Sequence, residues 1–284
     1  MVFLFAPKFL LFLGMKKNIL FLLCSFIVVY SCKKHENSEV SSVEKSIDSV
    51  KTSAVFAVDS VKVSDSTKLN KNISAQFSWK ILEFPTITKK SLLDSIYSVN
   101  DIHLENYSKE SLKSALNSKM KDYFSKNKEN TKDFPSDLEQ TWNEHAEMDV
   151  FSRENDFLTL KYTGDGFSGG AHGYYYEYYK VFDLKNNKTL QLSDILMTPE
   201  SSIWKRALMD NFLKNDLGKD QSQMLLVKEI SPNRNFYFDQ ENIYFLYNQY
   251  EIAAYAAGPI LIKIPISDVK MMLNSEWLKR MGIK

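Results

Sequence analysis

Cysteine is almost absent from this chain of 284 residues: Cys24 and Cys32 are the two present, and both fall near the start. Any folded region beyond them has no disulfide and no free thiol, which excludes thiol catalysis and cysteine-ligated metal there. Histidine is scarce as well, with four residues (His35, His103, His145 and His172) and no HxH or HExxH pair among them. An excess of either charge is missing: 36 basic residues face 35 acidic ones, for a net charge of +1. Without a strong global field, a nucleic-acid partner is not expected. Long apolar runs are missing too. The stretch from Ile19 to Val29 is about half the length needed to cross a bilayer as a helix. Glycine and proline are thinly spread, at 9 and 7 residues, so a loop holding Gly164, Gly166, Gly169, Gly170 and Gly173 stands out.

What the N-terminus does contain is an export layout. From Met15 the chain reads MKKNILFLLCSFIVVYSC: two lysines, an apolar run, then Tyr30 and Ser31 ahead of Cys32. This is the three-part arrangement of a cleavable signal, and the cysteine after Val29-Tyr30-Ser31 resembles a bacterial lipobox. The reading is a signal segment over 1–31 with its true start at Met15, and lipidation at Cys32. The alternative is one uncleaved anchor from Phe9 to Tyr30, but it would place Lys16 and Lys17 mid-membrane, where charge is costly. Residues 32–72, rich in Ser, Lys, Glu and Asp, read as a lipidated, hydrated tether. Ala54–Val58 is the one apolar interruption in it. These features predict a protein of the bacterial cell envelope whose first partner is a membrane, held through an N-terminal lipid. They leave inner and outer membrane open.

Beyond the tether the pattern alternates between helical and extended. Phe77, Trp79 and Ile81 mark a strand that Pro85 ends. Helices are expected over Lys90–Val99 and Lys109–Phe124, the second capped by Ser108 and broken by the polar stretch Ser125–Lys132. A hairpin follows, with strands from Trp142 and over Asp156–Tyr162 joined at Arg153-Glu154-Asn155. An aromatic strand spans Tyr174–Phe182, and a helix opens at Pro199. Short strands lie at Phe236–Phe238, Ile243–Tyr247 and Ile260–Ile264, and Ser267 is placed to cap a last helix. Helices interleaved with antiparallel hairpins predict an α+β fold in two tightly associated helix–sheet halves.

Two loops are candidates for function. In the first, Gly169 and Gly170 precede His172 and Tyr174. Its glycines suggest positive backbone angles or close approach, but it lacks the GKS or GKT ending of a phosphate loop. Ser168 and His172 invite a nucleophile–base reading, yet no acid is assigned to orient the histidine, so its bland role is to tie the loop to a neighbouring strand. In the second, Tyr250, Glu251 and Tyr255 stand among small alanines and before Gly258-Pro259. Gly169, Gly170, His172, Tyr174, Tyr250, Glu251 and Tyr255 are therefore the ligand-binding candidates, with no catalytic residue assigned. A hydrolase using His172 and Glu251 would need the two to converge in one pocket. The run Glu144, His145, Glu147 and Asp149 reads as a solvated strand face opposite Ala146, Met148 and Val150. Neither a metal nor a cofactor is expected.

These two loops also carry a family resemblance. Gly169-Gly170-Ala171-His172, then Phe182-Asp183-Leu184 and Leu192-Ser193-Asp194-Ile195-Leu196, resembles the opening of a secreted domain of unknown function. Its closing hallmark resembles Tyr247-Asn248, Tyr250-Glu251-Ile252-Ala253 and Tyr255-Ala256-Ala257-Gly258-Pro259. The region before it looks like that domain's usual companion. The pair, types 4163 and 3298, resembles the ectodomain of a lysozyme-sensing anti-sigma factor and the N-terminal region of peptidoglycan deacetylases. The resemblance implies a companion domain over 73–172 and a second domain over 173–284. It also implies a non-enzymatic envelope module that binds or senses a protein or a cell-wall-related ligand. A structural or accessory lipoprotein is the alternative, and no deacetylase segment is seen after Lys284.

Overall fold

The computed structural model describes residues 56–132, 137–216 and 220–284; the expected signal segment and Cys32 lie outside them. Strands β1 (Asp59–Lys68) and β2 (Ile73–Glu83) form an antiparallel hairpin. Helices α1 (Lys90–Tyr97) and α2 (Lys109–Asn130) follow, then β3 (Gln140–Glu154), β4 (Phe157–Phe167), β5 (Tyr174–Asp183) and the short β6 (Lys188–Thr189). The six strands form one sheet in chain order. Every pairing in it is antiparallel except β2 with β3. A parallel step needs a long crossover, and α1 with α2 provides it.

The second half begins with α3 (Leu192–Ile195) and α4 (Ser202–Asn215). A three-stranded antiparallel sheet follows, made of β7 (Phe236–Phe238), β8 (Asn242–Tyr247) and β9 (Ile260–Pro265). Helices α5 (Ile266–Val269) and α6 (Ser275–Met281) close the chain. The fold is thus α+β, with two helix–sheet halves. Among the described residues no helix is long and apolar enough to cross a membrane.

The large sheet is buried on both faces over β4 and β5. On one face Leu160, Tyr162 and Phe182 join Phe77, Trp142 and the α2 residues Leu112 and Leu116. On the other, Phe157, Tyr179 and Val181 join Trp204 of α4, Phe245 of β8 and Trp277 of α6. This double coverage explains the unbroken buried run at Phe157–Leu160, because a strand with both sides covered loses its polar alternation.

Several expectations need correction. Asp59–Lys68 lies in the predicted tether yet forms β1, because Val61 and Val63 bury while the remaining eight side chains stay solvated; a polar composition is what an edge strand carries. The domain boundary expected between 172 and 173 falls inside the large sheet, since β5 is its fifth strand. Helix α2 runs on to Asn130 through the stretch read as a breaker, because Lys, Asn and Glu on its exposed side cost little. The β3–β4 turn is Asn155–Asp156, one residue later than expected, and both have positive φ (50° and 63°). That geometry matches the twist of a two-residue hairpin. Ser267 lies inside α5, whose N-cap is Pro265, and a further helix, α6, is capped by Asn274.

One device joins the halves. The β6 ladder reaches only Phe182 and Asp183, so upstream β5 is a bare edge. Two buried asparagines of the second half complete it. Asn248 accepts from the Glu177 N–H (2.9 Å) and donates to the Glu177 carbonyl (3.1 Å). Asn235 accepts from the Tyr179 N–H (2.7 Å) and donates to that same carbonyl (2.8 Å).

Candidate functional site

The aromatic strand β5 sets out a row of rings. Tyr174, Tyr176 and Tyr178 alternate along it and so share a face. The same face carries Phe182, packed in the core with α1 and α2, and Lys180, which bonds α1. Opposite them in β4, Gly164 pairs with Tyr176 and Gly166 with Tyr174. A Cβ on Gly164 would come within 2.4 Å of the Tyr176 ring, and one on Gly166 within 2.7 Å of the Tyr174 ring. These two glycines, read as part of a loop, are strand residues that let the rings lie down against bare backbone. The Tyr176 and Tyr178 centroids are 5.5 Å apart, and Tyr174 is half exposed.

At the Tyr174 end the row opens into a pocket of about 380 Å³ whose lining includes Trp79 of β2, Lys119 and Tyr123 of α2, Glu144 of β3 and Ser168. Trp79 and Tyr123 are each only 8% exposed, yet among the described residues Trp79 Nε1 and the Tyr123 hydroxyl have no hydrogen-bond partner. Buried polar atoms are normally paired, so two orphans at one pocket call for an explanation. Glu144 adds a half-buried carboxyl. Burial pushes its pKa up, opposed by the charge of Lys119, by the Trp79 N–H and by the charge of Lys126. Burial, with Glu144 nearby, also pushes the Tyr174 phenol up to about 12.

A carboxyl with a raised folded pKa favours the fold at low pH and costs it as pH rises through that pKa. Glu144→Gln is therefore expected to raise the thermal midpoint at pH 7 and to leave it unchanged at pH 4. Melting curves at the two pH values test this. An equal shift at both would place the effect in packing rather than charge.

The loops singled out from sequence do come together, at a neighbouring surface. Gly169 and Gly170 turn the chain between β4 and β5 with φ of 88° and 93°. Exposed His172 donates from Nδ1 to the Gly173 carbonyl (2.8 Å) and stacks on Tyr255 at 4.2 Å. The Tyr255 hydroxyl donates to the same carbonyl (3.2 Å), and Tyr250 lies 5.8 Å from the Tyr255 ring. Glu251 has other surroundings: it accepts from Asn233 (3.3 Å) and lines a cleft with Tyr178 and Arg234 that His172 does not line.

The acidic run on β3 is not one face. His145 pairs with Asp165 (3.1 Å), while Lys80 binds Glu147 (2.7 Å) and Asp149 (2.9 Å). Glu144 has the opposite parity and sits with Trp142, Ala146 and Met148. Among the described residues no group of three or more His, Cys, Asp or Glu could hold a metal ion. Sequence reading missed Trp79, Tyr123 and Glu144. The signal available was Glu144 itself, a carboxylate in register with apolar neighbours.

A two-half α+β unit with a ring-floored groove is the class of protein that fold and site define. The family model for a protein of unknown function, DUF3298, matches residues 184–267, which start where β5 ends. A solved member of that family from Bacteroides fragilis is 22% identical with a TM-score of 0.67, covering 81% of this chain and 98% of that one. A DUF3298 family protein from Pseudomonas aeruginosa is 16% identical with a TM-score of 0.52, covering 77% of this chain and 95% of that one. At these identities the likeness shows a shared fold. No curated protein matches the chain.

Proposed function

We propose that this chain is a non-enzymatic envelope lipoprotein that binds a glycan of the cell wall. The observation that carries the reading is the pair of orphaned polar atoms, on Trp79 and Tyr123, at a pocket continuous with the tyrosine row. Sugars combine flat apolar faces with dense hydroxyl and amide groups. A row of rings ending in unsatisfied donors and a half-buried carboxyl suits both features. The resemblance to the N-terminal region of peptidoglycan deacetylases noted from the sequence points the same way. Lipidation of Cys32 and a tether ending before β1 would hold the groove off the membrane, toward the wall.

The test is sedimentation of the detergent-solubilised protein with purified peptidoglycan, run beside a pull-down from solubilised envelope. Wall retention is expected, and Tyr174→Ala should weaken it about tenfold, the equivalent of 1.4 kcal/mol. Retention by a protein in the pull-down, with no sedimentation, would replace this reading with an accessory role for the exposed His172–Tyr255–Tyr250 surface. Mass spectrometry of the mature N-terminus tests the lipid on Cys32, and an unmodified cysteine there would remove the anchor.

A further inference from the structure

Two clefts meet at Lys180 and Arg234, which line both. One, of about 520 Å³, is lined also by Ser91 and Ser95 of α1 and by Thr189. The other, of about 410 Å³, carries Tyr178 and Glu251. Lys180 is half-buried, and burial alone lowers its pKa from the usual lysine value; no carboxylate acts on it. Two of its N–H groups donate to the Ser95 carbonyl (2.8 Å) and to Ser98 Oγ (3.2 Å), closing the end of α1. An ammonium has three donors, so one is left over.

Arg234 is exposed and forms no ion pair among the described residues. The Thr189 hydroxyl is buried without a partner among the described residues. Lys188, in the larger cleft, is already bound to Asp194 (2.6 Å). Of the residues lining the two clefts Glu251 alone is acidic, and it stands in the smaller one, bonded to Asn233. The larger cleft thus holds a half-buried cation, Lys180, beside an exposed one, Arg234, and no carboxylate among its lining residues pairs with either.

We propose that Lys180, Arg234 and the Thr189 hydroxyl form a site for an oxyanion, the carboxylate or phosphate of a ligand seated in the larger cleft. Arginine offers a planar fork that matches either group, and charge-assisted bonds from both cations add to it. Lys180 stands two residues beyond Tyr178 on the same strand face, so the site prolongs the tyrosine row. A ligand lying along that row would present its acidic group here. The inference does not require the row to bind sugar.

Calorimetry on the detergent-solubilised full chain tests it with three probes: orthophosphate, N-acetyl-D-alanyl-D-alanine, and the C-terminal amide of that dipeptide. Binding of phosphate, of the acid peptide, or of both is expected, with the amide inert; which one binds identifies the source of the anion. Arg234→Ala should weaken that binding at least tenfold without moving the unliganded melting point, because Arg234 is exposed and forms no ion pair among the described residues. Lys180→Met should abolish it, while Tyr174→Ala, which disables only the ring groove, should leave it intact. The site is overturned if neither anion binds, if the amide binds as well as the acid, or if Arg234→Ala retains wild-type affinity. Wall retention and anion binding can therefore fail separately.

Discussion

Replacing Arg280 with methionine is expected to cost the folded chain about 3–5 kcal/mol at neutral pH, as loss of one partner of a buried ion pair does. Arg280, on α6, grips Asp183 at the end of β5 through both terminal guanidinium nitrogens, Nη2 at 3.0 Å. The Asp183 side chain is 1% exposed and the Arg280 side chain 20%. The guanidinium also lies 4.1 Å from the centre of the Phe157 ring. Burial alone would push the Asp183 carboxyl up, but hydrogen bonds from Arg280 and Asn186 hold it below its ordinary value.

The sign of the pH dependence follows. With a depressed folded pKa, Asp183 stabilises the protein above the unfolded value near 4 and loses that contribution as pH falls through the folded one. In Arg280→Met the carboxyl keeps its burial without its partner. Its pKa then rises, and protonation relieves it. The gap between variant and wild type should be widest near pH 7 and narrow below about pH 4. Urea unfolding across that range reads both effects, and a gap independent of pH would assign the loss to the Phe157 stack instead.

Removing Asn248 or Asn235 should be the next most costly change, at about 1–3 kcal/mol each, the price of leaving buried backbone groups unpaired. Asn248→Ala strands the Glu177 N–H, and Asn235→Ala strands that of Tyr179. The two share the Glu177 carbonyl as acceptor, so the double variant, which strands that carbonyl as well, should lose more than the summed single losses. Asn248→Asp separates this account from simple loss of packing. It keeps an acceptor for the N–H but sets a carboxylate against the Glu177 carbonyl, so it should be at least as harmful as alanine despite its near-identical shape. Equal stability of Asn248→Asp and wild type would show that the side chain does not complete the sheet edge.

These asparagines mark the limit of what local pattern conveys. Tyr247-Asn248 lies within the closing hallmark of the family resemblance, but nothing in the sequence says which backbone Asn248 serves. Its partner, Glu177, is 71 residues away. The Gly164 and Gly166 pair was legible as a cluster and misread as a loop, because the reason for glycine is a ring on the adjacent strand.

Local chemistry alone determined the helix start at Ser108, the strand at Trp79 and the antiparallel hairpins with interleaved helices. These depend on period, capping and composition within a few residues. Tertiary structure decided the rest. It drew Asp59–Lys68 into the sheet, carried β5 across the expected domain boundary, and placed Glu144 away from its acidic neighbours. It brought Trp79 and Tyr123 to one pocket with their polar atoms unpaired among the described residues, and it set His172 on Tyr255 rather than beside Glu251. Strand parity and pairing register cause each of these outcomes. A shift of one residue exchanges the buried and solvated faces of a strand, and only the packed partners select which face is which.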